Sequence, residues 1–216
     1  GNVLKQLREG LRYIKKHELF SLIMLLTFCN SMFGMTYIHL MPSFAKEVLE
    51  VGADKIGMLL GASGGGAILG TVTIANLRGH HPKGLMILGA AIVYGTALLL
   101  FAAATSQGWY WPSMGILFIV GMANSTYLVG GMSTIQHLVP DRLRGRVMGA
   151  FAITWSLGPF GMIQGGFIAQ YYGASVAVAV GGGIIVIVAT FILLRSSDMR
   201  ALRAEMPADF QAAYAE

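Results

Sequence analysis

The twenty residues at 85–104, LMILGAAIVYGTALLLFAAA, contain no charged side chain. A run of about 20 apolar residues can cross a bilayer as an α-helix, and inside hydrocarbon the backbone must pair with itself. The run lacks the alternation of a β-barrel strand. The whole chain is 55% hydrophobic and 12% charged, with a mean hydropathy of +0.65, whereas soluble domains carry about 25% charged residues. The sequence therefore predicts an all-α integral membrane protein.

Six segments of this kind divide the chain. The predicted spans are Leu19–Ala45, Ile56–Leu77, Gly84–Thr105, Pro112–Leu138, Val147–Tyr171 and Ala174–Leu194. Residues 1–18 precede them as a basic amphipathic linker helix, with apolar residues three or four positions apart. Residues 19–195 form the six-helix bundle and residues 196–216 a cytoplasmic tail. The chain begins with glycine rather than methionine, from which we expect that further residues precede it.

The basic residues predict how the spans are oriented. Of the 15 lysines and arginines, only Lys46 and Lys55 fall on one side of the predicted membrane, and the other 13 fall on the opposite side. The positive-inside rule places that basic side, and with it both termini, in the cytoplasm. The formal net charge of +5 is accounted for by topology, so no nucleic-acid partner is expected.

The spans differ in polarity. Polar residues are concentrated in the first and fourth spans, whereas the third and sixth are almost wholly apolar. Because polar groups are costly in hydrocarbon, the first and fourth spans are expected to line an interior and the third and sixth to face lipid. This order recurs every three spans and predicts two inverted three-helix repeats. Gly34 and Pro42 in the first span and the pair Gly130 and Gly131 in the fourth mark expected bends.

The stretch LLGASGGGAILG at 59–70 carries five glycines. A phosphate-binding loop would need a preceding strand and, in the P-loop version, a lysine followed by serine or threonine. The stretch lies inside an apolar span and has no lysine. Small residues four apart allow membrane helices to approach closely. The predicted packing glycines are Gly57, Gly61, Gly65, Gly66 and Gly70.

The segment LVPDRLRGRVMGAF at 138–151 puts several charges at the cytoplasmic surface. Asp141, Arg142, Arg144 and Arg146 have two possible roles. They pair with one another or with helix ends to hold a closed cytoplasmic face, or they only anchor the topology. The chemistry of the residues favours neither role.

A polar and aromatic stripe on the first span, formed by Asn30, Phe33 and Tyr37, is predicted to contact a substrate, because these residues share one helix face. Asn124 and Tyr127 form a similar stripe on the fourth span, and Trp155 and Gln164 are further candidates on the fifth. The alternative for each is helix-to-helix packing or hydrogen bonding. An uncharged wall of amides and aromatics suits a bulky amphipathic ligand.

No acidic or basic residue lies in the middle of a predicted span. His39, near the outer end of the first span, is therefore the one candidate here for a proton-coupling group, and its alternative is interfacial packing. The sequence shows no metal-spaced cysteines, no serine with a base and acid, and no paired carboxylates. We therefore expect no enzyme activity, no metal and no cofactor.

Three pieces of the sequence resemble one family. They are the entry segment LREGLRYIKKHELF, the span LLGASGGGAILG followed by ANLRGHHPKG, and the loop PDRLRGRVMG. Together they resemble the C-terminal half of a major facilitator superfamily transporter, within the branch of enterobactin exporters and multidrug efflux proteins. The resemblance implies that the chain supplies helices seven to twelve of a twelve-helix protein, which works by alternating access driven by the proton gradient.

The resemblance also implies roles for two segments. The loop at 75–84, with Arg78, occupies the place of a cytoplasmic gating loop, but it lacks the aspartate of the fuller family pattern. The segment SLGPFGMIQGG at 156–166 is similar to a Gly-Pro antiporter motif with altered spacing, so Gly158 and Pro159 are expected to serve in packing and as a hinge.

Together these features predict secondary active export of a small amphipathic organic molecule, drug-like or siderophore-like, across the bacterial cytoplasmic membrane. The expected partners are the lipid bilayer, the small-molecule substrate, protons, and either an N-terminal six-helix half or a second copy of the chain. The alternatives are a non-transporting scaffold or receptor-like module on the same fold, and a half-size transporter that acts as a homodimer.

Overall fold

The computed structural model describes residues 3–44, 49, 52–76 and 82–202, with side chains from Glu9 onward except that of Ala53. These ranges contain helices and no strand. The helices are α1 (Val3–Lys16), α2 (Glu18–Cys29), a π-helical segment (Asn30–Gly34), α3 (Thr36–His39), α4 (Met41–Ser43), α5 (Ala53–Ala75), α6 (Lys83–Ser106), α7 (Tyr110–Leu138), α8 (Asp141–Ser156), α9 (Gly158–Tyr172), α10 (Ala174–Arg195) and α11 (Ser197–Ala201).

Five helical stretches in the described ranges are long and apolar enough to cross a membrane. They are Glu18–Ser43, Asp54–Ala75, Lys83–Ser106, Tyr110–Leu138 and Ala174–Arg195. The prediction of an all-α membrane protein is therefore confirmed, and five of the predicted spans match these stretches. The predicted span at Val147–Tyr171 is occupied instead by two shorter helices, α8 and α9, which meet at Leu157.

The break at Leu157 follows from the residues beside it. Pro159 lies in the first turn of α9, where a proline is tolerated because the N–H groups of a first turn have no partner within the helix. A proline farther inside a continuous helix would remove a backbone hydrogen bond and clash with the preceding turn. Starting a new helix at Gly158 avoids both costs.

The first span is also interrupted, near the glycine and proline singled out in the sequence. Over Asn30–Gly34 the backbone forms a π-helix, and the amide of Met35 donates to the carbonyl of Asn30 at 2.9 Å. A second discontinuity at Leu40 precedes Pro42. A π-helical turn contains an extra residue, so it rotates the side chains that follow it relative to a regular helix. In contrast, α7 runs through Gly130 and Gly131 without interruption.

The interior of the bundle is built around α6 and α7. α5 packs along α7, α7 along α6, and α6 along α10, while the π-helical segment contacts α9 and α10. One side of α6 is fully buried, including Tyr94, Leu98 and Phe101, and its other side is exposed and apolar. The third predicted span, which the sequence predicts to face lipid, thus also has a face buried in the interior of the bundle.

One end of the bundle, here called the basic end, carries α1, the start of α8 and Arg195. There α1 packs on α8, and Arg146 forms an ion pair of 2.5 Å with Glu9. The short helix α11 folds back on α6, where the amide of Gly84 donates to the carbonyl of Leu202 at 3.0 Å. The segments that flank the bundle therefore dock on its basic end.

Candidate functional site

Two adjacent cavities open on one face of the bundle. The first has a volume of about 340 Å³ and is lined by Ser31, Met35, Ile38, His39, Trp155, Gly158, Pro159 and Met162. The second has a volume of about 350 Å³ and is lined by Met35, Ala67, Asn124, Ser125, Leu128, Val129, Met132, Phe151 and Trp155. Met35 and Trp155 line both, so the cavities adjoin, and together they are here called the Trp155 groove.

The break between α8 and α9 shapes this groove. Trp155 lies in the last turn of α8, just before the break, and 44% of the residue is exposed. Gly158 and Pro159, which begin α9, line the same cavity. A continuous helix would carry the residues after Trp155 along a different path, so the broken span positions this side of the groove.

The chemistry of the groove is apolar with a few neutral polar groups. Met35, Met132 and Met162 line the groove together with Trp155, and in the described part of the chain no Lys, Arg, Asp or Glu lines the groove. Methionine side chains are flexible and polarisable and adapt to ligands of varied shape. Such a surface, with an indole ring at its centre, suits a lipophilic molecule better than a small ion.

Two polar side chains of the groove, Asn124 and Ser125, come from α7, and two, Ser31 and His39, from the first span. The Asn124 Oδ1 atom is buried and has no hydrogen-bond partner in the described ranges. The neighbouring Ser125 Oγ lies 2.6 Å from Thr71 Oγ1 on α5. Asn124 therefore lines the groove with its other atoms, because its Oδ1 atom has almost no exposed surface.

Of the residues predicted to contact a substrate, the structure brings two together in the groove, Asn124 and Trp155. Asn30, Tyr37 and Tyr127 are at most 3% exposed and lie in the interior of the bundle. The Tyr37 hydroxyl, for example, lies 3.2 Å from Ser63 Oγ on α5. Phe33 and Gln164 are partly buried and line neither cavity.

The π-helical segment explains why a different stripe of the first span faces the groove. The predicted stripe assumed a regular helix through residues 30–37, but the extra residue per turn at Asn30–Gly34 changes the facing of the side chains. Ser31, Met35 and Ile38 line the groove instead. Their spacing of four and three residues also marks one helix face, but two apolar residues in a membrane span carry no signal of function.

The charged residues of α8 form two ion pairs at the basic end. Arg144 pairs with Asp141 at 2.7 Å within the first turns of α8, and both side chains are largely exposed. Arg146 reaches Glu9 on α1, a partner that the sequence reading did not identify. Arg142 lies close enough to Tyr13 of α1 to lower the pKa of that hydroxyl, although burial has the larger effect and raises it. Arg78 lies outside the described residues.

The predicted packing glycines fall into two groups. A Cβ at Gly66 would collide with the Phe118 carbonyl of α7, and a Cβ at Gly70 with the Met122 carbonyl. At Gly65 an added Cβ would only touch the Phe118 ring at 3.7 Å, and at Gly57 and Gly61 it would meet nothing within 4 Å in the described ranges. The close approach therefore depends on Gly66 and Gly70.

The Gly-Pro segment makes a looser contact. A Cβ at Gly158 would lie 3.8 Å from Ser31 Oγ, whereas one at Gly161, three residues later, would lie 2.5 Å from the Met32 carbonyl. Close packing of α9 on the π-helical segment thus depends on Gly161 rather than on Gly158. Pro159 serves the break between α8 and α9 and lines the groove.

An all-helical bundle with several membrane-spanning helices and an uncharged groove open on one face has the architecture of a multi-pass membrane transporter. The comparison with known proteins agrees with this class. The chain belongs to the transmembrane secretion effector family of the major facilitator superfamily (MFS), whose family model matches residues 1–213. The prediction of an MFS membrane transport protein is confirmed at this level.

Two curated relatives are similar to the chain. An uncharacterized MFS-type transporter, YfiS of Bacillus subtilis (strain 168), is 28% identical over 206 residues, which is 88% of this chain and 46% of the relative. A Na(+), Li(+), K(+)/H(+) antiporter of Planococcus maritimus is 27% identical over 132 residues, 60% of this chain and 30% of the relative. The chain thus spans about half the length of these relatives or less. No solved structure matches it.

Proposed function

We propose that the chain is the C-terminal six-helix half of an MFS exporter that moves a small amphipathic organic molecule out across the bacterial cytoplasmic membrane. The observation that carries this proposal is the Trp155 groove, whose lining is apolar apart from neutral polar groups and His39. The substrates that suit this lining are drug-like and siderophore-like molecules, as in the enterobactin-exporter and multidrug branch. The pair α8 and α9 together provides the sixth crossing, which leaves both termini cytoplasmic.

The open side of the groove supports a partner across it. The first span, α7 and α8–α9 supply one wall, and a second six-helix half supplies the other in a twelve-helix MFS protein. That half is an N-terminal half or a second copy of this chain. The length of the curated relatives, of which this chain matches 46% and 30%, favours the N-terminal half. Alternating access follows when the two halves rock about the groove.

Proton exchange is the coupling that we propose for export. Among the described residues no Asp, Glu, Lys or Arg lines the groove, and His39, at the outer end of the first span, is the titratable side chain that does so. A proton carrier then lies either at His39 or in the other half. The printed name of the relative from Planococcus maritimus describes exchange of alkali cations for protons, so cation–proton antiport is the second candidate.

Replacement of Trp155 by alanine tests the proposal. Removing a large aromatic surface from a binding site costs about 2 kcal/mol, which corresponds to roughly a thirty-fold weaker apparent affinity. We expect Trp155→Ala to raise the accumulation of lipophilic dyes and drugs in expressing cells toward the level of cells without the protein.

Trp111→Ala is the matched control, because Trp111 is 66% exposed at the start of α7 and lies outside the groove. We expect it to retain export at equal membrane abundance. If no compound in a broad panel of drugs and siderophores accumulates differently with and without the wild-type protein, export is the wrong function and a non-transporting scaffold or receptor-like module takes its place. Activity of this chain expressed alone would favour the homodimer.

A further inference from the structure

Three polar side chains from three different helices meet in the interior of the bundle. Asn30 begins the π-helical segment of the first span, Tyr94 lies on α6 and Tyr127 on α7. Asn30 is 1% exposed, Tyr94 0% and Tyr127 3%. None of the three lines the Trp155 groove. They are here called the buried polar cluster.

The members of the cluster are close neighbours. A Cβ built at Gly34 would collide with Asn30 Oδ1 and would lie 2.8 Å from the Tyr94 hydroxyl, so both oxygens adjoin the bare side of this glycine. The rings of Tyr94 and Tyr127 lie 5.9 Å apart. The bare side of Gly34 thus faces two oxygens and the Ile185 side chain, and the Tyr127 ring lies next to the Tyr94 ring.

The polar atoms of the cluster have no hydrogen-bond partner among the described residues. Asn30 Oδ1, the Tyr94 hydroxyl and the Tyr127 hydroxyl are all buried, and within the described ranges none of them has a hydrogen bond. A buried polar group without a partner is costly, more so in a membrane, where lipid offers no hydrogen bond. Three such atoms on neighbouring side chains therefore call for a partner other than the described protein groups.

We infer that an ordered water molecule occupies this place and bridges Asn30, Tyr94 and Tyr127. A buried water typically makes about three hydrogen bonds to polar groups that otherwise lack partners. Here it accepts from one tyrosine hydroxyl and donates to the Asn30 oxygen, and the other hydroxyl completes its shell. The three protein atoms are neutral, so they hold a dipolar ligand without the cost of a buried charge.

The direction in which a Tyr→Phe change shifts the unfolding temperature distinguishes a cluster that holds a water molecule from one that does not. If the hydroxyls have no partner, then Tyr94→Phe and Tyr127→Phe remove a destabilising group and raise the unfolding temperature. If a water bridges them, each variant leaves the water short of a partner and lowers that temperature. We expect a decrease comparable to that of Tyr37→Phe, which breaks the bond of 3.2 Å to Ser63 and serves as calibration.

The experiment uses the purified protein as expressed, in detergent micelles, and follows thermal unfolding. The triple variant Asn30→Leu/Tyr94→Phe/Tyr127→Phe is expected to recover part of the loss of the single variants, because it removes the water together with all of its partners. Additive decreases would contradict a shared partner. An unchanged or higher unfolding temperature for Tyr94→Phe or Tyr127→Phe would overturn the inference.

Infrared difference spectra give a second readout, which does not depend on stability. A buried water should show an O–H stretching band that shifts in H₂¹⁸O and disappears in Tyr94→Phe, and its absence from the wild type would overturn the inference. An alkali cation is the alternative occupant of the cluster that the experiment must test. An unfolding temperature that rises with sodium, potassium or lithium chloride but not with choline chloride, and only while Tyr94 keeps its hydroxyl, would replace the water by a cation.

Discussion

At the scale of single residues, the glycines of α5 separate into those that the fold requires and those that it does not. A Cβ at Gly70 would collide with the Met122 carbonyl and lie 2.9 Å from Thr126 Oγ1, whose hydroxyl donates to the Gly70 carbonyl at 3.3 Å. Backbone atoms cannot give way as the end of a side chain can. The spacing of the glycines predicts close packing, but it does not say which side of the helix packs.

We predict that Gly70→Ala lowers the free energy of unfolding by about 1–3 kcal/mol, the usual cost of overpacking. Gly61→Ala is the matched control, since a Cβ there meets nothing within 4 Å in the described ranges. It should leave stability unchanged or raise it by up to about 1 kcal/mol through helix propensity. Denaturant unfolding in micelles measures both variants, and equal effects would show that α5 does not approach α7 through Gly70.

A second prediction at this scale concerns His17, between α1 and α2. Its ring lies 4.6 Å from the Tyr13 ring and 5.8 Å from the Phe20 ring. Burial, and secondly the charge of Lys16, lower the pKa of His17 below its ordinary value. The folded protein therefore holds His17 neutral at pH values where the unfolded chain already binds a proton.

The stabilisation from neutral His17 is complete above its unfolded pKa of about 6.5 and is lost as the pH falls from there toward the lower folded pKa. We expect His17→Phe, which keeps an aromatic ring between Tyr13 and Phe20, to flatten the decline in unfolding temperature between about pH 7 and pH 5. Parallel pH profiles for the two proteins would show that His17 does not contribute to this decline.

At the scale of elements, the docking of α1 on α8 rests on two contacts of different strength. Glu9 and Arg146 form an ion pair, but their side chains are 38% and 39% exposed, and pairs of this kind contribute up to about 1 kcal/mol. Gly10 lies directly against the Arg146 backbone, where a Cβ would collide with the carbonyl oxygen. Close packing of the two helices is therefore expected to outweigh the ion pair.

We predict that Gly10→Leu releases α1 from α8, whereas Glu9→Gln leaves it docked. Hydrogen exchange of the amides at 9–16 measures this directly, with protection lost in the first variant and nearly unchanged in the second. Gly145→Leu, on α8 where a Cβ meets nothing within 4 Å in the described ranges, is the control for a bulky substitution. If Glu9→Gln alone removes the protection, the ion pair rather than the packing holds α1.

The interruptions of the first and fifth predicted spans show how far an element can be read from its residues. Gly34, Pro42, Gly158 and Pro159 mark the places where helices deviate, and the structure has breaks or a π-helix close to all four. The residues do not specify whether a helix bends, breaks or forms a π-helix. A glycine such as Gly34 is compatible with either a bend or a π-helix, and the packing of α9 and α10 against Asn30–Gly34 decides between the two.

At the scale of the whole molecule, the comparison of α5 with α6 shows that composition does not predict how much of a span is buried within the chain. Both are apolar spans, yet 22% of the apolar stretch of α5 is buried within the chain, compared with 50% of that of α6. In water, burial follows hydrophobicity, but lipid tails are as apolar as a protein core, so the apolar residues of a span do not reveal which neighbours it meets. The low burial of α5 shows that the described residues of the chain cover little of this span.

The sequence by itself determined the class of the protein. Its long uncharged runs leave a membrane helix as the stable state, because hydrocarbon offers no other partner to the backbone. The tertiary structure decided which face of each helix lies in the interior of the bundle and which lines the groove. It turned Asn30, Tyr37 and Tyr127 into the interior, gathered Met35, Asn124 and Trp155 into a groove, and paired Arg146 with Glu9 across 137 residues. Such contacts depend on helix rotation and on breaks in the helices, and a π-helical turn of five residues is enough to change them.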